Sequence, residues 1–280
     1  LRARIDVLSE LPQAWAETLQ RWAGWGELFL TETEAGVAPS RNDLWLLFQT
    51  LVGLWPAEPP HAQEREALRR RVQDYVRKAV REAKVHTSWV SPEQPYEEAL
   101  ARYVDAVLRP GAPNPFVDEL QKFTARIAPW GFRNSLAQVA LKFTVPGVPD
   151  VYQGCEQWNF SLVDPDNRRP VDFGRLQRDL AEIQSQCRDG IPPTSLWRQL
   201  QANVADGRIK HLVTWRLLQL RQQLRELFRD GSYVPLAAEG PAADHAVAFL
   251  RTHQDQAVLV GAVRLAFTLC EGEESRWSPP

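Results

Sequence analysis

Residues 144–158 read TVPGVPDVYQGCEQW, and residues 161–173 read SLVDPDNRRPVDF. Before this stretch, apolar residues recur at helical spacing over 132–143, and a Pro-Gly pair ends that predicted helix. The short apolar run at 148–152 is closed by Gly154 and predicts a strand. The stretch therefore has the form of a helix, a buried strand and a polar loop, and we interpret the rest of the chain around it.

The loop after the predicted strand concentrates hydrogen-bonding side chains. Within fourteen residues it carries a glutamate carboxylate, an indole, two Asp, two Asn and two Arg. Carboxylate and guanidinium groups can make two hydrogen bonds at once to hydroxyl groups, and indole rings stack on sugar rings or bases. The loop is therefore typical of a site for a polyhydroxylated or anionic ligand. The same residue types also build ordinary turns and surface ion pairs. Residue types alone leave both interpretations open.

The bulk composition is that of a soluble globular protein. The 280 residues are 44% apolar and 24% charged, enough to bury a substantial core in one large or two modest domains. A net charge of −2 argues against a dominant surface for nucleic acid or anionic membranes. No apolar run has the length of a membrane span, and no signal-peptide pattern is present, so we expect a cytoplasmic location.

Cysteine and histidine usage gives no sign of a disulfide framework or a metal site. The three cysteines are isolated, which fits a reducing compartment. The five histidines form no i, i+4 pair and have no Cys partner at zinc spacing, so we expect no metal ion and no cofactor. The chain has no Met, even at position 1, and opens without a helix cap, so we interpret it as a piece of a longer protein.

The first 145 residues predict a helical subdomain. Apolar residues recur at helical spacing in several segments, separated by Pro- and Gly-containing breaks such as 110–114 and Trp130-Gly131. No alternating β pattern is present. One predicted helix carries the basic run 69–71, whose interleaved acidic residues favour a solvated face over a nucleic-acid contact.

The C-terminal part changes from helical to strand-like patterning. More helices are predicted up to Phe228, and then short runs at 233–236, 246–251 and 257–263 alternate with turn residues, which predicts a small antiparallel sheet. Residues 266–280 have no clear pattern. We therefore predict a mainly α chain with a small C-terminal antiparallel β domain, and the sequence leaves open whether that domain is complete. The predicted domains are 1–145, 146–230 and 231–280.

Two phrases of the opening stretch, PGVPDVYQG and SLVDPDNRRPVDF, resemble the last barrel strand and the following loop of the maltooligosyl trehalose synthase family, which belongs to glycoside hydrolase family 13 in the α-amylase superfamily. The segment RARIDVLSELPQAW at 2–15 is similar to the residues that follow the family's HDTKR motif. KVHTSW at 84–89 is similar to a phrase near its active site. The resemblance covers most of residues 1–265 and departs at Cys155, where the family usually has a Thr-like residue.

The resemblance implies a fragment of a (β/α)8-barrel enzyme that contains a helical insertion and the last barrel strand. It implies an intramolecular transglucosylase, an isomerase of trehalose biosynthesis that converts the reducing-end α-1,4 linkage of malto-oligosaccharides to α,α-1,1. The family's three catalytic carboxylates lie upstream of Leu1, so we expect no catalytic residue here and an inactive chain when alone. The expected partners are the malto-oligosaccharide and the N-terminal barrel portion of the same enzyme, with no nucleic acid and no membrane.

The resemblance assigns substrate binding to the end of the predicted strand, to the loop after it and to the KVHTSW phrase. These residues are Tyr152, Gln153, Glu156, Asp164, Asp166, Asn167, Arg168, Arg169, Lys84, His86 and Trp89. Trp158 either stacks on sugar or packs in the core. An alternative is a free-standing carbohydrate-binding or interaction module without catalysis, and a hydrolase of the same superfamily is a third hypothesis.

Overall fold

The computed structural model describes residues 1–109, 113–188 and 190–273. Contacts divide the chain into two compact units. The first unit contains Leu1–Ala128 and Phe160–Arg169, and the second unit contains Pro129–Asn159 and Pro170–Pro280. The three domains predicted from the sequence have other boundaries and stay a prediction.

Helices build most of the first unit, together with one short hairpin. They are α1 (Arg2–Ile5), α2 (Pro12–Gly26), α3 (Arg41–Leu54), α4 (Ala62–Ala83), α5 (Gln94–Val107) and the first half of α6 (Pro115–Thr144). Short 3-10 turns follow α1 and α2. The helical character predicted from apolar spacing is confirmed.

Local sequence explains where α3 begins and ends. The Asp43 backbone N–H donates to Ser40 Oγ at 3.3 Å, and the Ser40 backbone N–H donates to Asp43 Oδ2 at 3.1 Å, which forms a capping box. Trp55 precedes a proline, and this position disfavours helical backbone, so the helix stops at Leu54.

Aromatic rings form much of the core of the first unit. Trp22 of α2 is fully buried and meets Phe48 and Phe116 edge-on, with ring centroids 5.5 and 5.1 Å apart. Its indole Nε1 donates to Glu119 Oε2 at 2.8 Å, so the polar edge of the ring is satisfied. This packing ties α2, α3 and the first half of α6 together.

Two features of residues 1–145 differ from the sequence prediction. A hairpin pairs β1 (Thr31–Thr33) with β2 (Gly36–Ala38), where no β pattern was expected. Strands of three residues are too short to show alternation, and Gly36 has a φ of +116°, which favours glycine in the turn. The break expected at Trp130-Gly131 is also wrong, because α6 continues through Pro129. The burial of Trp130 there outweighs the local cost of proline and glycine.

The second unit combines helices with a three-stranded sheet. The helices are the second half of α6, α7 (Phe173–Ser185), α8 (Thr194–Ala202), α9 (Arg208–Gln223), α10 (Arg225–Asp230) and α11 (Ala266–Leu269). A core cluster joins α7, α8 and α9 through Ile183, Leu196, Leu200, Ile209 and Leu212. The sheet has the order β3 (Ser232–Leu236), β4 (Ala246–His253), β5 (Gln256–Val263), with antiparallel pairs throughout. The predicted C-terminal antiparallel sheet is therefore confirmed, while residues 274–280 lie outside the described residues.

The strand predicted at 148–152 is not observed. These residues have no regular structure and a turn follows them, and Val148 is 96% exposed rather than buried. A strand needs a neighbour to pair its N–H and C=O groups, and Pro149 has no N–H to offer. No other segment of the described residues pairs with 148–152. The assignment of this segment to a barrel therefore stays a prediction.

Across residues 1–109, 113–188 and 190–273, none of the helices combines the length and apolar character that crossing a membrane requires.

Candidate functional site

Residues 160–169, here named the DPD loop, are anchored to α4 through Asp166. Arg71 Nε and Nη2 donate to the two carboxylate oxygens of Asp166, each at 2.9 Å, and Nη2 also donates to the Phe160 carbonyl at 2.7 Å. The Leu162 backbone N–H donates to Asp166 Oδ2 at 2.7 Å. The Asp166 side chain is only 11% exposed, so its position is that of an internal anchor of the loop.

The charge of Asp166 is stabilised in spite of its burial. Burial alone would raise the pKa of its carboxyl group, but the hydrogen bonds from Arg71 and from the Leu162 amide outweigh this effect, and the pKa lies below its usual value. Arg71 belongs to the basic run that the sequence assigned to a solvated face. The structure corrects that interpretation for Arg71, because its guanidinium group faces the DPD loop.

Asp164 is the more exposed carboxylate of the DPD loop. Lys78 Nζ, also on α4, donates to its Oδ1 at 2.9 Å and to its backbone carbonyl at 2.7 Å. Arg168 Nη2 donates to Asp164 Oδ2 at 3.3 Å. The hydrogen bond from Lys78 holds the pKa of Asp164 below its usual value. About half of the Asp164 side chain remains exposed to solvent.

The outer side of the DPD loop presents mainly donors. Arg168 and Arg169 are exposed, and Arg169 Nε donates to the Asp166 carbonyl at 3.0 Å. Asn167 Oδ1 is buried and finds no hydrogen-bond partner among the described residues. The guanidinium groups of Arg168 and Arg169 and the carboxylate of Asp164 thus offer donors and an acceptor on one loop. Such an arrangement is suited to binding hydroxyl groups.

The two aspartates are poor candidates for proton transfer. A carboxyl group that acts as a general acid near neutral pH needs a pKa raised toward the working pH. The pKa values of Asp164 and Asp166 are both lowered, so each remains an anion. Neither aspartate therefore suits the role of a general acid near neutral pH.

The KVHTSW phrase forms a second feature of the first unit. Lys84 ends α4 in a left-handed conformation with φ of +57°, and its side chain is exposed. The His86 ring stacks on Tyr96 with centroids 4.7 Å apart, and its Nδ1 lies 2.8 Å from the Ala35 carbonyl. Trp89 is 55% exposed. Of the three predicted residues, Lys84 and Trp89 are accessible to a ligand, while His86 is engaged in packing.

Tyr152, Gln153 and Glu156 belong to the second unit. Tyr152 and Gln153 are exposed, and Glu156 is half-buried with an Oε2 atom that finds no hydrogen-bond partner among the described residues. Gly154 has a φ of +78°, which lets the turn 153–156 form. The structure thus presents Tyr152 and Gln153 to solvent and draws Glu156 toward the interior of its unit.

Two basic residues of α9 were missed by the sequence reasoning. Lys210 is buried, and its Nζ donates to the Gln157 carbonyl at 3.0 Å; burial lowers its pKa, against opposing effects that include Glu156. His211 is only 5% exposed, and its Nδ1 has no partner among the described residues. Burial lowers the pKa of His211 as well, while Glu156 acts in the opposite direction. In the sequence, Lys210 and His211 lie between the apolar residues Ile209 and Leu212, and this position was the available sign that they are buried.

Trp158 has the environment of a packed residue. Its ring stacks on Phe132 with centroids 4.7 Å apart, and its Nε1 donates to the Val204 carbonyl at 2.6 Å. Lys210 Nζ lies 5.7 Å from the ring centroid. These contacts favour the packing interpretation of Trp158.

Across the part of the chain that the structure describes, no group of three or more His, Cys, Asp or Glu side chains could hold a metal ion.

Solved structures share this fold. A crystal structure of a maltooligosyl trehalose synthase aligns with a TM-score of 0.75 at 31% sequence identity, and the alignment covers 94% of this chain and 32% of that one. The maltooligosyltrehalose synthase from Arthrobacter ramosus aligns with a TM-score of 0.73 at 33% identity, covering 96% of this chain and 30% of that one. The chain therefore has the fold of one part of a maltooligosyl trehalose synthase.

Sequence comparison identifies the family. A protein of Mycobacterium tuberculosis (strain CDC 1551 / Oshkosh), provisionally named maltooligosyl trehalose synthase, is 37% identical over 253 residues. The match covers 90% of this chain, and the chain spans about 28% of the length of that relative. No family model matches the chain. The chain is a homologue of the maltooligosyl trehalose synthases and corresponds to their C-terminal portion.

Proposed function

We infer that this chain supplies substrate-binding residues to an intramolecular transglucosylase that acts on malto-oligosaccharides. The observation that carries this proposal is the DPD loop of a maltooligosyl trehalose synthase homologue: Asp164 and Arg168 are displayed outward, while Asp166 is locked to Arg71. A loop with a fixed inner side and exposed charged groups can bind sugar hydroxyls without reorganising, which lowers the entropy cost of binding.

The proposed reaction moves the reducing-end glucose from an α-1,4 to an α,α-1,1 linkage. A retaining mechanism of this kind needs two carboxyl groups about 5 Å apart, one attacking the anomeric carbon and one protonating the leaving oxygen. Their lowered pKa values keep Asp164 and Asp166 ionised, which does not suit the residue that protonates the leaving oxygen. As nucleophiles they are hindered by their partners, because Arg71 binds both carboxylate oxygens of Asp166, and Lys78 and Arg168 bind those of Asp164. The proposal therefore places the catalytic carboxylates outside this chain, in a (β/α)8 barrel of the α-amylase type.

The same proposal gives the segment at 148–152 a partner. Its apolar residues and its exposure suit a strand that pairs with barrel strands from the rest of the enzyme. Tyr152 and Gln153 follow this segment and are exposed, as substrate-binding residues at a strand end would be. The enzyme would belong to glycoside hydrolase family 13, act in trehalose biosynthesis and work in the cytoplasm.

The test uses maltopentaose and the full-length protein that contains this chain. Loss of reducing ends without release of glucose is expected, and Arg168→Ala should raise KM by about tenfold because one charged hydrogen-bond donor is removed. Arg102→Ala is the matched control, since Arg102 is also an exposed arginine paired with an acidic residue four positions away. Its KM should equal that of the parent.

Three other outcomes would contradict the proposal in different ways. Binding of maltopentaose without any conversion would identify a carbohydrate-binding module. Release of glucose as the main product would identify a hydrolase. A parent protein that neither binds nor converts maltopentaose would exclude malto-oligosaccharides as the ligand.

A further inference from the structure

Residues 84–91, here named the tryptophan loop, connect α4 to α5 and are held by Glu97. This carboxylate is almost fully buried and accepts hydrogen bonds from Arg81 Nε at 2.7 Å and from Arg81 Nη2 at 2.6 Å. It also accepts a hydrogen bond from Thr87 Oγ1 at 2.8 Å. Glu97 therefore joins the last turns of α4, the tryptophan loop and the first turn of α5.

Hydrogen bonds within the loop extend this anchor. The Glu93 backbone N–H donates to Thr87 Oγ1 at 2.9 Å, so the Thr87 hydroxyl both donates and accepts. The backbone N–H of Ser88 donates to the Ser91 carbonyl at 3.1 Å, and the Ser91 N–H donates to Ser88 Oγ at 2.9 Å. These bonds close the tip of the loop, where Trp89 and Val90 are exposed.

Arg81 connects the buried anchor to the exposed ring. Its guanidinium carbon lies over the Trp89 ring, 4.9 Å from the centroid. The same guanidinium group therefore makes a two-point ion pair with Glu97 and a cation–π contact with Trp89. An exposed aromatic ring that is backed by a fixed planar group keeps one orientation and can stack on a sugar ring.

We propose that Glu97 is a positioning residue which, through Arg81, fixes the Trp89 ring as a stacking platform for a glucose unit of the malto-oligosaccharide. This inference rests on the function proposed above and adds a residue that does not touch the substrate. The hydrogen bond from Arg81 keeps the pKa of Glu97 below its usual value, so the anchor stays charged at neutral pH. Replacing the carboxylate by an amide removes the charge that holds the guanidinium group.

The test is a double-mutant cycle on the full-length protein with maltopentaose as substrate. Trp89→Ala and Glu97→Gln should each raise KM by about fivefold or more and leave kcat within about twofold of the parent. In the double variant, Glu97→Gln should add almost nothing, because its effect passes through the ring that is already absent. Glu98→Gln is the matched control, since this neighbouring carboxylate is exposed and pairs only loosely with Arg102 at 3.6 Å; it should behave as the parent.

Two further variants keep the test decisive if Glu97→Gln does not fold. Arg81→Lys retains a positive charge but loses the planar fork, so KM should still rise. Trp89→Phe retains an aromatic face and should recover most of the affinity. Additive effects in the cycle, or an unchanged KM in Trp89→Ala, would overturn the inference while the transglucosylase itself remained active and sensitive to Arg168→Ala. Absence of both binding and conversion in the parent would overturn the proposed function and this inference together.

Discussion

Arg71 and Asp166 lie 95 positions apart in the sequence and meet at two points, with Nε–Oδ1 and Nη2–Oδ2 distances of 2.9 Å each. The local sequence does not single out either residue, since Arg71 belongs to a run of three arginines and Asp166 to a turn. The pair makes the conformation of the DPD loop depend on α4. The exposed residues at the outer side of the loop are therefore supported by a helix far away in the chain.

Removal of Arg71 should destabilise the protein. Arg71→Ala leaves the largely buried Asp166 carboxylate without its main partner, so the free energy of unfolding should fall by about 2 kcal/mol. Arg70→Ala is the control, because Arg70 is exposed and its ion pair with Glu66 should contribute less than about 0.5 kcal/mol. Urea denaturation of both variants measures the difference. If Arg71→Ala and Arg70→Ala had the same free energy of unfolding, the Arg71–Asp166 pair would not anchor the loop.

Stability should depend on pH through His211. Burial lowers the pKa of this imidazole from the ordinary value of 6.5, so the unfolded state binds a proton more readily than the folded state. The free energy of unfolding should therefore decrease as pH falls below about 6.5, and this decrease should level off below the folded-state pKa. Urea denaturation at several pH values between 5 and 8 would record the slope. His211→Asn should reduce the slope, and His61→Asn, at an exposed position, should not.

Lys210 should stabilise the segment around Gln157. Lys210→Ala removes the donor to the buried Gln157 carbonyl and the cation near the Trp158 ring, so the free energy of unfolding should fall by about 1–2 kcal/mol. The exposed Lys122 on α6 offers a control, for which an Ala substitution should change stability by less than about 0.5 kcal/mol. If Lys210→Ala were as stable as Lys122→Ala, the proposed anchor of this segment would be wrong.

Gly207 should not accept a side chain. Its φ is +83°, and an added Cβ would lie 3.0 Å from both Gln157 Cβ and the Trp158 backbone nitrogen. Gly207→Ala should therefore lower the free energy of unfolding by about 1–2 kcal/mol. Gly24, inside α2, has no atom within 4 Å of such a Cβ, and Gly24→Ala should be neutral or stabilising by about 0.5–1 kcal/mol. Thermal unfolding of the two variants separates a backbone effect from a general effect of the substitution.

Apolar spacing predicted the helical part of the fold well. It indicated helices through residues 1–145, and the strand-like runs from 233 onward indicated the C-terminal sheet. The prediction failed at 148–152 because a strand depends on a neighbour that local sequence cannot supply. It also failed at Trp130-Gly131, where α6 continues without a break and Trp130 is buried.

The candidate site was predicted less completely than the fold. Charged and aromatic residue types in the DPD loop pointed to a ligand, but they did not separate Asp166, which faces inward, from the more exposed Asp164. The supporting residues Arg71 and Glu97 could not be found from local spacing, because their roles arise from contacts made by folding. The assignment of the eleven predicted residues to substrate binding stays a prediction.

The chain passes from one compact unit to the other after Ala128, after Asn159 and after Arg169. A gene shortened at Ala128 would encode Arg71 and Lys78 but lose both aspartates that these cations neutralise. Such a product would carry an excess of positive charge on one face of α4 and would expose it to nonspecific binding of polyanions. The two units are thus interleaved along the sequence, and neither is encoded by one contiguous stretch of the gene.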